Sequence, residues 1–418
     1  MPVREELPHV VIVGAGFAGL NAALKLAKEP VRITIIDKKN HHTFQPLLYQ
    51  VALAVLSPAE IASPIRAITR KHKNTEVLLD EVVDFDLPNK RVILKDTKQP
   101  LEFDYLIVAA GAGHAYFGHP EWEQDATGLK TVEDALEIRR RVLQAFEQAE
   151  KEAILGGELK PLNFVIIGAG ATGVELAGAI TDIAKRYMVD DFRGIDPRRA
   201  RVILLEGGPS VLSSYPPDLQ QSAKKQLEQL GVEVRLNAKV TNIEPGAVMI
   251  GSEQIPSRVT LWAAGVAASP LGRKLGVATD RAGRVQVTGD LAVPGHKDVF
   301  VIGDLASYLD KHGHPVPGVA PAAIQMGKFA AGQITRDLNR EPRTTFHYLD
   351  KGSLATIGRS KAVGDLPGLH VSGVIAWLMW LGIHIAFLIG FRNRVLVMME
   401  WAWAYFTFNR GARLITDK

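Results

Sequence analysis

Apolar residues in this chain gather in short runs that end at glycines, the pattern of buried parallel strands. HVVIVGAGFAGLNAALKLA (His9–Ala27) has a β-rich run, a glycine turn and an Ala/Leu stretch with helical spacing. NFVIIGAGATGVELAGAIT (Asn163–Thr181) repeats that order. Each copy then reaches a second apolar strand closed by an acid, VRITIIDKK at Asp37 and ARVILLEGG at Glu206. Further strands ending at glycines are predicted in YLIVAAGAG (Tyr105–Gly113), RVTLWAAGV (Arg258–Val266) and VFVIGDLA (Val299–Ala306), and a charged surface helix over Lys130–Glu152. Two strand–turn–helix units with their acids predict an α/β fold of two Rossmann-type dinucleotide-binding domains. The second is expected as an insertion in the first: residues 1–113 and 284–341 form one domain, 114–283 the other, and 342–418 a third region.

That third region differs from the rest. VSGVIAWLMWLGIHIAFLIGF (Val371–Phe391) carries no formal charge; Arg392 and Arg394 follow it, then VLVMMEWAWAYFTF (Val395–Phe408), Arg410 and Arg413. From Lys351 onward eight basic residues face three acidic ones (Asp365, Glu400 and Asp417), although the whole chain of 418 residues has a formal charge of only +4. Four of the six tryptophans also lie here: Trp377, Trp380, Trp401 and Trp403. By length the uncharged run passes as a membrane span, which Gly373, Gly382, Gly390 and His384 weaken. Helices lying in the membrane interface, a single span and a buried helix pair are the three readings.

Composition narrows the function. The mild charge, with no basic run carrying interleaved aromatics, argues against nucleic acid. The chain has no cysteine, which removes disulfides, thiolate nucleophiles and cysteine-ligated metals. No metal is expected: no D-x-D-x-D-G calcium loop occurs. MPVREELPHV does not read as a signal peptide, so the catalytic part is expected to stay where it is made.

The glycines carry the candidate chemistry. Gly14 permits a tight turn, Gly16 lets the backbone approach a pyrophosphate, and Gly19 lets the helix lie close to its strand. The helix N-terminus offers free N–H groups to phosphates, and Asp37 is placed to accept hydrogen bonds from ribose hydroxyls. Gly168, Gly170 and Gly173 repeat the device. Glu206 comes 33 residues after Gly173, later than usual. It still closes an apolar strand, so the ribose role falls to it. An acid there repels a 2′-phosphate and favours NADH over NADPH. Gly303–Asp304 ends a third strand that can bring a carboxylate and helix-start amides to a flavin's ribityl chain and phosphates.

The order GAGFAG…D, LIVAAGAG, GAGATGVE…E, LWAAG, VFVIGD resembles the two-dinucleotide flavoprotein superfamily over Val10–Lys328. Three local features narrow the resemblance to the type II NADH dehydrogenases, single-subunit NADH:quinone oxidoreductases. They are NHHTFQPLLYQVA (Asn40–Ala52), GATGVELAG with Glu175, and APAAIQMGKFAA (Ala320–Ala331) ahead of the aromatic, basic tail. The resemblance implies non-covalent FAD in the first domain and NADH in the second. For FAD it implies Gly14, Gly16, Phe17, Ala18, Gly19, Asp37, Lys38, Gln45, Val83, Ala110, Gly111, Gly303, Asp304 and Ala323. For NAD it implies Gly168, Gly170, Thr172, Gly173, Glu175, Glu206, Gly207, Ala264 and Gly265. A family segment A-Q-x-A-x-Q lines the quinone pocket; here it reads Ala320, Pro321, Ala322, Ala323, Ile324, Gln325. The first glutamine is Pro321, so one hydrogen-bonding side chain is missing, and Gln325 is left to offer its amide to a quinone oxygen. Glu175 is implied near the nicotinamide with a part in proton handling, while its place early in a helix also suits the helix dipole alone. His41 and His42 read as surface histidines.

The implied reaction passes hydride from NADH to FAD and two electrons on to a membrane quinone that enters through a slot opened by the tail. No side chain acts as a nucleophile, and no proton pumping is expected. The expected protein is a peripheral homodimer on the cytoplasmic face of the cell membrane, in contact with surface lipids. Disulfide reductases and sulfide:quinone reductases need cysteines and fall away. A soluble reductase of a ferredoxin or rubredoxin, or a non-enzymatic NADH-binding flavoprotein, is the alternative.

Overall fold

A computed structural model describes residues 7–97, 99–158, 160–407 and 412–415. Phe408, Arg410 and Asp417 lie outside the described residues. Two units emerge: Met1–Thr43, Ala62–Gly113 and Val266–Lys351 make one, and Phe44–Ile61, His114–Gly265 and Gly352–Lys418 the other.

In the first unit, the strand His9–Val13 is buried along its whole length. It pairs in parallel with Arg32–Asp37 on one side and Tyr105–Val108 on the other. Thr75–Leu79 extends the sheet beyond Arg32–Asp37. His296–Val301 pairs in parallel with Tyr105–Val108, and the short antiparallel strand Ala292–Val293 closes that edge. The last two strands come from beyond residue 284, so a long insertion returns the chain to the sheet it left. Strands covered on both faces need continuous apolar runs, which is why VVIV, ITII and LIV lack polar alternation.

Helix Phe17–Leu26 packs against helix Ala320–Leu338 through small residues. A methyl group added at Gly327 would fall 2.2 Å from the Ala18 carbonyl oxygen. Pro321 sits in the first turn of Ala320–Leu338, where its missing N–H costs nothing and its fixed φ suits the helix.

The second unit holds a five-stranded parallel sheet in the order Ala126–Gly128, Val259–Trp262, Asn163–Ile167, Arg201–Leu205, Val232–Arg235. The charged helix runs over Val132–Ile154, opened by a Thr131/Asp134 capping box. Its buried Arg139 donates to the carbonyls of Val51 (2.8 Å through Nε) and Leu56 (2.8 Å). Those bonds hold helix Leu48–Ala52, inside the segment Phe44–Ile61, to this unit.

The tail begins with an antiparallel meander, Ser353–Gly358, Lys361–Leu366 and Leu369–Ser372, that the periodicity did not announce. Its first strand presses on helix Ala171–Asp182: a methyl at Gly178 would meet the Ile357 carbonyl oxygen at 1.6 Å. The uncharged run is not one helix. Gly373 takes φ +68°, helix Val374–Phe387 stops at the extended Leu388, and helix Phe391–Thr407 starts after Gly390 at φ +89°. Fourteen helical residues reach about 21 Å, short of a hydrocarbon core of roughly 30 Å. Among the described residues no helix is long and apolar enough to cross a membrane, which corrects the single-span reading.

Candidate dinucleotide and electron-transfer site

The two glycine fingerprints fold alike. Gly14 and Gly168 take φ +96° and +99°, where an L side chain is strained. A Cβ at Gly14 would also strike the Ala109 carbonyl oxygen at 2.4 Å, and one at Gly168 the Ala264 Cα at 2.5 Å. Gly19 and Gly173 are each forced by contact, because a Cβ would lie 1.9 Å from the carbonyl oxygen of Gly14 or Gly168. At Gly16 and Gly170 a Cβ would meet nothing within 4 Å. Tight packing behind the turn and open space before it suit a pyrophosphate set against the helix N-terminus.

The acids brace these turns. Asp37 accepts from the Ala15 N–H (2.6 Å) and the Lys39 N–H (2.8 Å). Glu206 accepts from the Ala169 N–H (2.7 Å) and the Gly208 N–H (2.8 Å). Each carboxylate oxygen keeps a further lone pair for a ribose hydroxyl, so both cradles fit a dinucleotide.

Within the first unit the fold also gathers Ala110, Gly303 and Ala323. A Cβ on Gly14 would come within 3.5 Å of the Ala110 Cα, and one on Gly303 within 3.1 Å of the Ala18 Cβ and 3.8 Å of the Ala323 Cβ. Asp304 lies in the short 3-10 turn Gly303–Leu305, close to Gly318. Phe17 opens its helix, Gly111 follows strand Tyr105–Val108, Lys38 is exposed beside Asp37, and Val83 is partly exposed on strand Val82–Asp86. Gln45 belongs to the second unit, exposed, with its amide donating to the Lys130 carbonyl at 3.4 Å. Within that unit Thr172 sits in the first turn of its helix, Gly207 is exposed after Glu206, and Ala264–Gly265 follow strand Val259–Trp262.

His42 is not on the surface. Its ring is 3 % exposed, its Nδ1 lies 2.9 Å from the Ala15 carbonyl oxygen, and Phe17 meets it edge-on at 5.1 Å. Facing a carbonyl, Nδ1 must carry the proton, and Nε2 is buried without a protein partner. Burial holds this imidazole below its ordinary pKa of 6.5. In the second fingerprint the corresponding carbonyl, Ala169, accepts instead from the backbone N–H of Leu212 (2.8 Å), a buried residue at φ +49°.

Glu175 is the fifth residue of helix Ala171–Asp182, past the first turn, so the dipole reading weakens. Burial pushes its carboxyl well above the usual carboxylate range, opposed by a backbone hydrogen bond at Thr356 in the tail meander. Gln325 is fixed by Leu349: its Nε2 donates to the Leu349 carbonyl and its Oε1 accepts from the Leu349 N–H, both at 2.9 Å. The oxygen is engaged, and one Nε2 N–H remains for another acceptor. Ala320 and Pro321 form the opening turn of the same helix.

Comparisons with known proteins bear on the family and the fold. The pyridine nucleotide-disulphide oxidoreductase family matches residues 8–327, and the NDH2 C-terminal domain matches residues 351–410. The type II NADH:quinone oxidoreductase Ndh of Mycobacterium tuberculosis is 45% identical, covering 98% of this chain and 90% of its own length. The type II NADH:quinone oxidoreductase of Staphylococcus aureus is 30% identical over 90% of this chain and 94% of its own. A solved structure of NDH2 from Plasmodium falciparum in complex with NADH shares the fold, with a TM-score of 0.87 at 20% identity, covering 98% of this chain and 100% of that one. On these grounds the chain belongs to the type II NADH:quinone oxidoreductases, within the pyridine nucleotide-disulphide oxidoreductase family.

Proposed function

We propose that this protein oxidises NADH and reduces a membrane quinone, so that NADH, a proton and the quinone give NAD⁺ and quinol, with no proton pumping. The observation that carries the reading is the doubled glycine cradle with a carboxylate braced behind each turn. Bound FAD would supply the redox chemistry that links NADH to the quinone.

The chain's own residues bind, orient and hold protons. Residues 1–113 and 284–341 are assigned to FAD, held at Gly14, Gly16, Gly19, Asp37, Gly303 and Asp304. Residues 114–283 are assigned to NADH, with the adenosine ribose on Glu206 and the pyrophosphate on Gly168–Gly173. Gln325 presents its remaining Nε2 N–H to a quinone oxygen, its amide orientation set by Leu349. Glu175, whose carboxyl burial pushes above the usual carboxylate range, is assigned to proton handling.

Residues 342–418 are assigned to membrane attachment on the cytoplasmic face, in a homodimer. Support comes from the large apolar side chains that the two tail helices expose, among them Ile375, Leu378, Met399, Trp403 and Phe406, beside exposed Arg392. The deciding assay follows NADH oxidation by the purified, FAD-loaded protein against a panel of quinones, with NADPH in parallel. NADH-dependent quinol formation with weak use of NADPH is expected; flavin reduced by NADH but reoxidised by no quinone would defeat the reading.

A further inference from the structure

Phe117 combines two features that each cost free energy. Its backbone takes φ +50°, a region that bulky residues rarely occupy. Its side chain is 67% exposed. Such an arrangement persists only where surrounding structure imposes it, and here the restraint is visible. Ala115, two residues earlier, donates its N–H to the Gly265 carbonyl (3.2 Å) and accepts from the indole Nε1 of Trp262 (3.0 Å). The Phe117 ring packs 5.9 Å from the Trp262 ring, and a methyl at Gly265 would come within 2.7 Å of its Cζ. Gly118 follows at φ +95° and completes the turn. The aromatic ring is therefore pinned over the carboxyl end of strand Val259–Trp262 with most of its surface uncovered.

Strand order says what lies there. In open parallel sheets ligands bind outside the carboxyl ends of the strands, where the order reverses. The fingerprint strand Asn163–Ile167 is flanked by Arg201–Leu205 on one side and Val259–Trp262 on the other. Glu206 closes Arg201–Leu205 and takes the adenosine ribose in the function proposed above. A dinucleotide laid across the Gly168–Gly173 turn then carries its other half toward Val259–Trp262.

We propose that Phe117 is the apolar contact for the nicotinamide riboside half of NADH, a substrate-binding residue that sets affinity for the reduced cofactor. The proposal rests on the second fingerprint being the NADH site. The test uses FAD-loaded protein and calorimetric titration with NAD⁺ and, separately, with ADP-ribose, which lacks the nicotinamide. For Phe117→Ala, the Kd for NAD⁺ should rise about tenfold, the scale of one aromatic stacking contact. The Kd for ADP-ribose and the flavin content should stay unchanged. Steady-state kinetics should show a raised KM for NADH with an unaltered KM for quinone, and Phe117→Tyr should restore wild-type values. Phe117→Gly, which relieves the positive φ, should melt no lower than the wild type yet bind NAD⁺ as weakly as Phe117→Ala. Unchanged NAD⁺ binding in Phe117→Ala and Phe117→Gly, or equal losses for NAD⁺ and ADP-ribose, would overturn the proposal. Failure of the wild type to bind ADP-ribose would instead defeat the assignment of the second fingerprint.

Discussion

The two fingerprint turns differ in one support. Ala15 and Ala169 each donate an N–H to a strand-end carboxylate, Asp37 or Glu206. Their carbonyls, however, are held by different chemistry: the imidazole of His42 in one, the backbone N–H of Leu212 in the other. Similar glycine geometry thus coexists with a titratable brace in the first fingerprint and a proton-independent one in the second. A turn needs its backbone groups satisfied, and whichever donor the neighbouring loop brings within reach will serve.

The glycines should give the largest effects. Gly19→Ala would press a methyl into a backbone oxygen and should yield protein without flavin. Gly173→Ala should keep the flavin absorbance and lose NADH-dependent bleaching. Flavin lost from both variants would show that the cradles are not independent. Next come the carboxylates. Glu206→Gln should weaken NADH binding by about 1.5–3 kcal/mol, the scale of a hydrogen bond to a charged group, with flavin retained. Asp37→Asn should weaken flavin retention and leave Glu206 intact. Titrations of NADH and of FAD into stripped protein measure the two losses, and crossed effects would reverse the assignment of the domains.

The braces differ in their response to acid. In the folded protein His42 titrates below 6.5, so folding keeps it neutral and the unfolded chain takes up the proton first. Its contribution is therefore present above pH 6.5 and is lost as pH falls through the lower folded value. Flavin release followed from pH 7 downward should begin at lower pH in His42→Asn, whose Nδ2 can still reach the Ala15 carbonyl. His9, lowered to about 4 by burial and by Arg32, is common to both proteins and cancels in the difference. An unshifted release curve would remove His42 from the account. The smallest effect belongs to the tail: Phe406→Ser should reduce flotation with anionic vesicles by about 1–2 kcal/mol, as expected for one uncovered aromatic ring, with soluble-quinone activity unchanged. Equal flotation would move attachment to other residues.

Both fingerprints were legible because their requirement is local. A strand, a glycine turn and a helix N-terminus lie within twenty residues, and the steric limits on Gly14 and Gly19 come from backbone atoms of the same unit. Asp37 and Glu206 could be found for the same reason: a strand-end acid in the neighbouring strand is fixed by parallel pairing, whatever the length of the loop before it. His42 gave no such signal, since HHT reads as polar surface until the strand His41–Thr43 is paired with Ala62–Pro64. Nor could sequence show that Phe44–Ile61 leaves the first unit. That follows from Arg139, over eighty residues away, reaching the carbonyls of Val51 and Leu56.

What the sequence determined alone was the doubled architecture and the place of each cradle, because positive-φ glycines, the Gly14–Gly19 and Gly168–Gly173 contacts and apolar runs act over a few residues. Tertiary structure decided which groups brace the turns, how Glu175 comes to be buried, where the tail breaks, and how Phe117 stays exposed. Each of those depends on contacts between segments far apart in the chain, and burial and hydrogen-bond partners are properties of the packed molecule rather than of residue order.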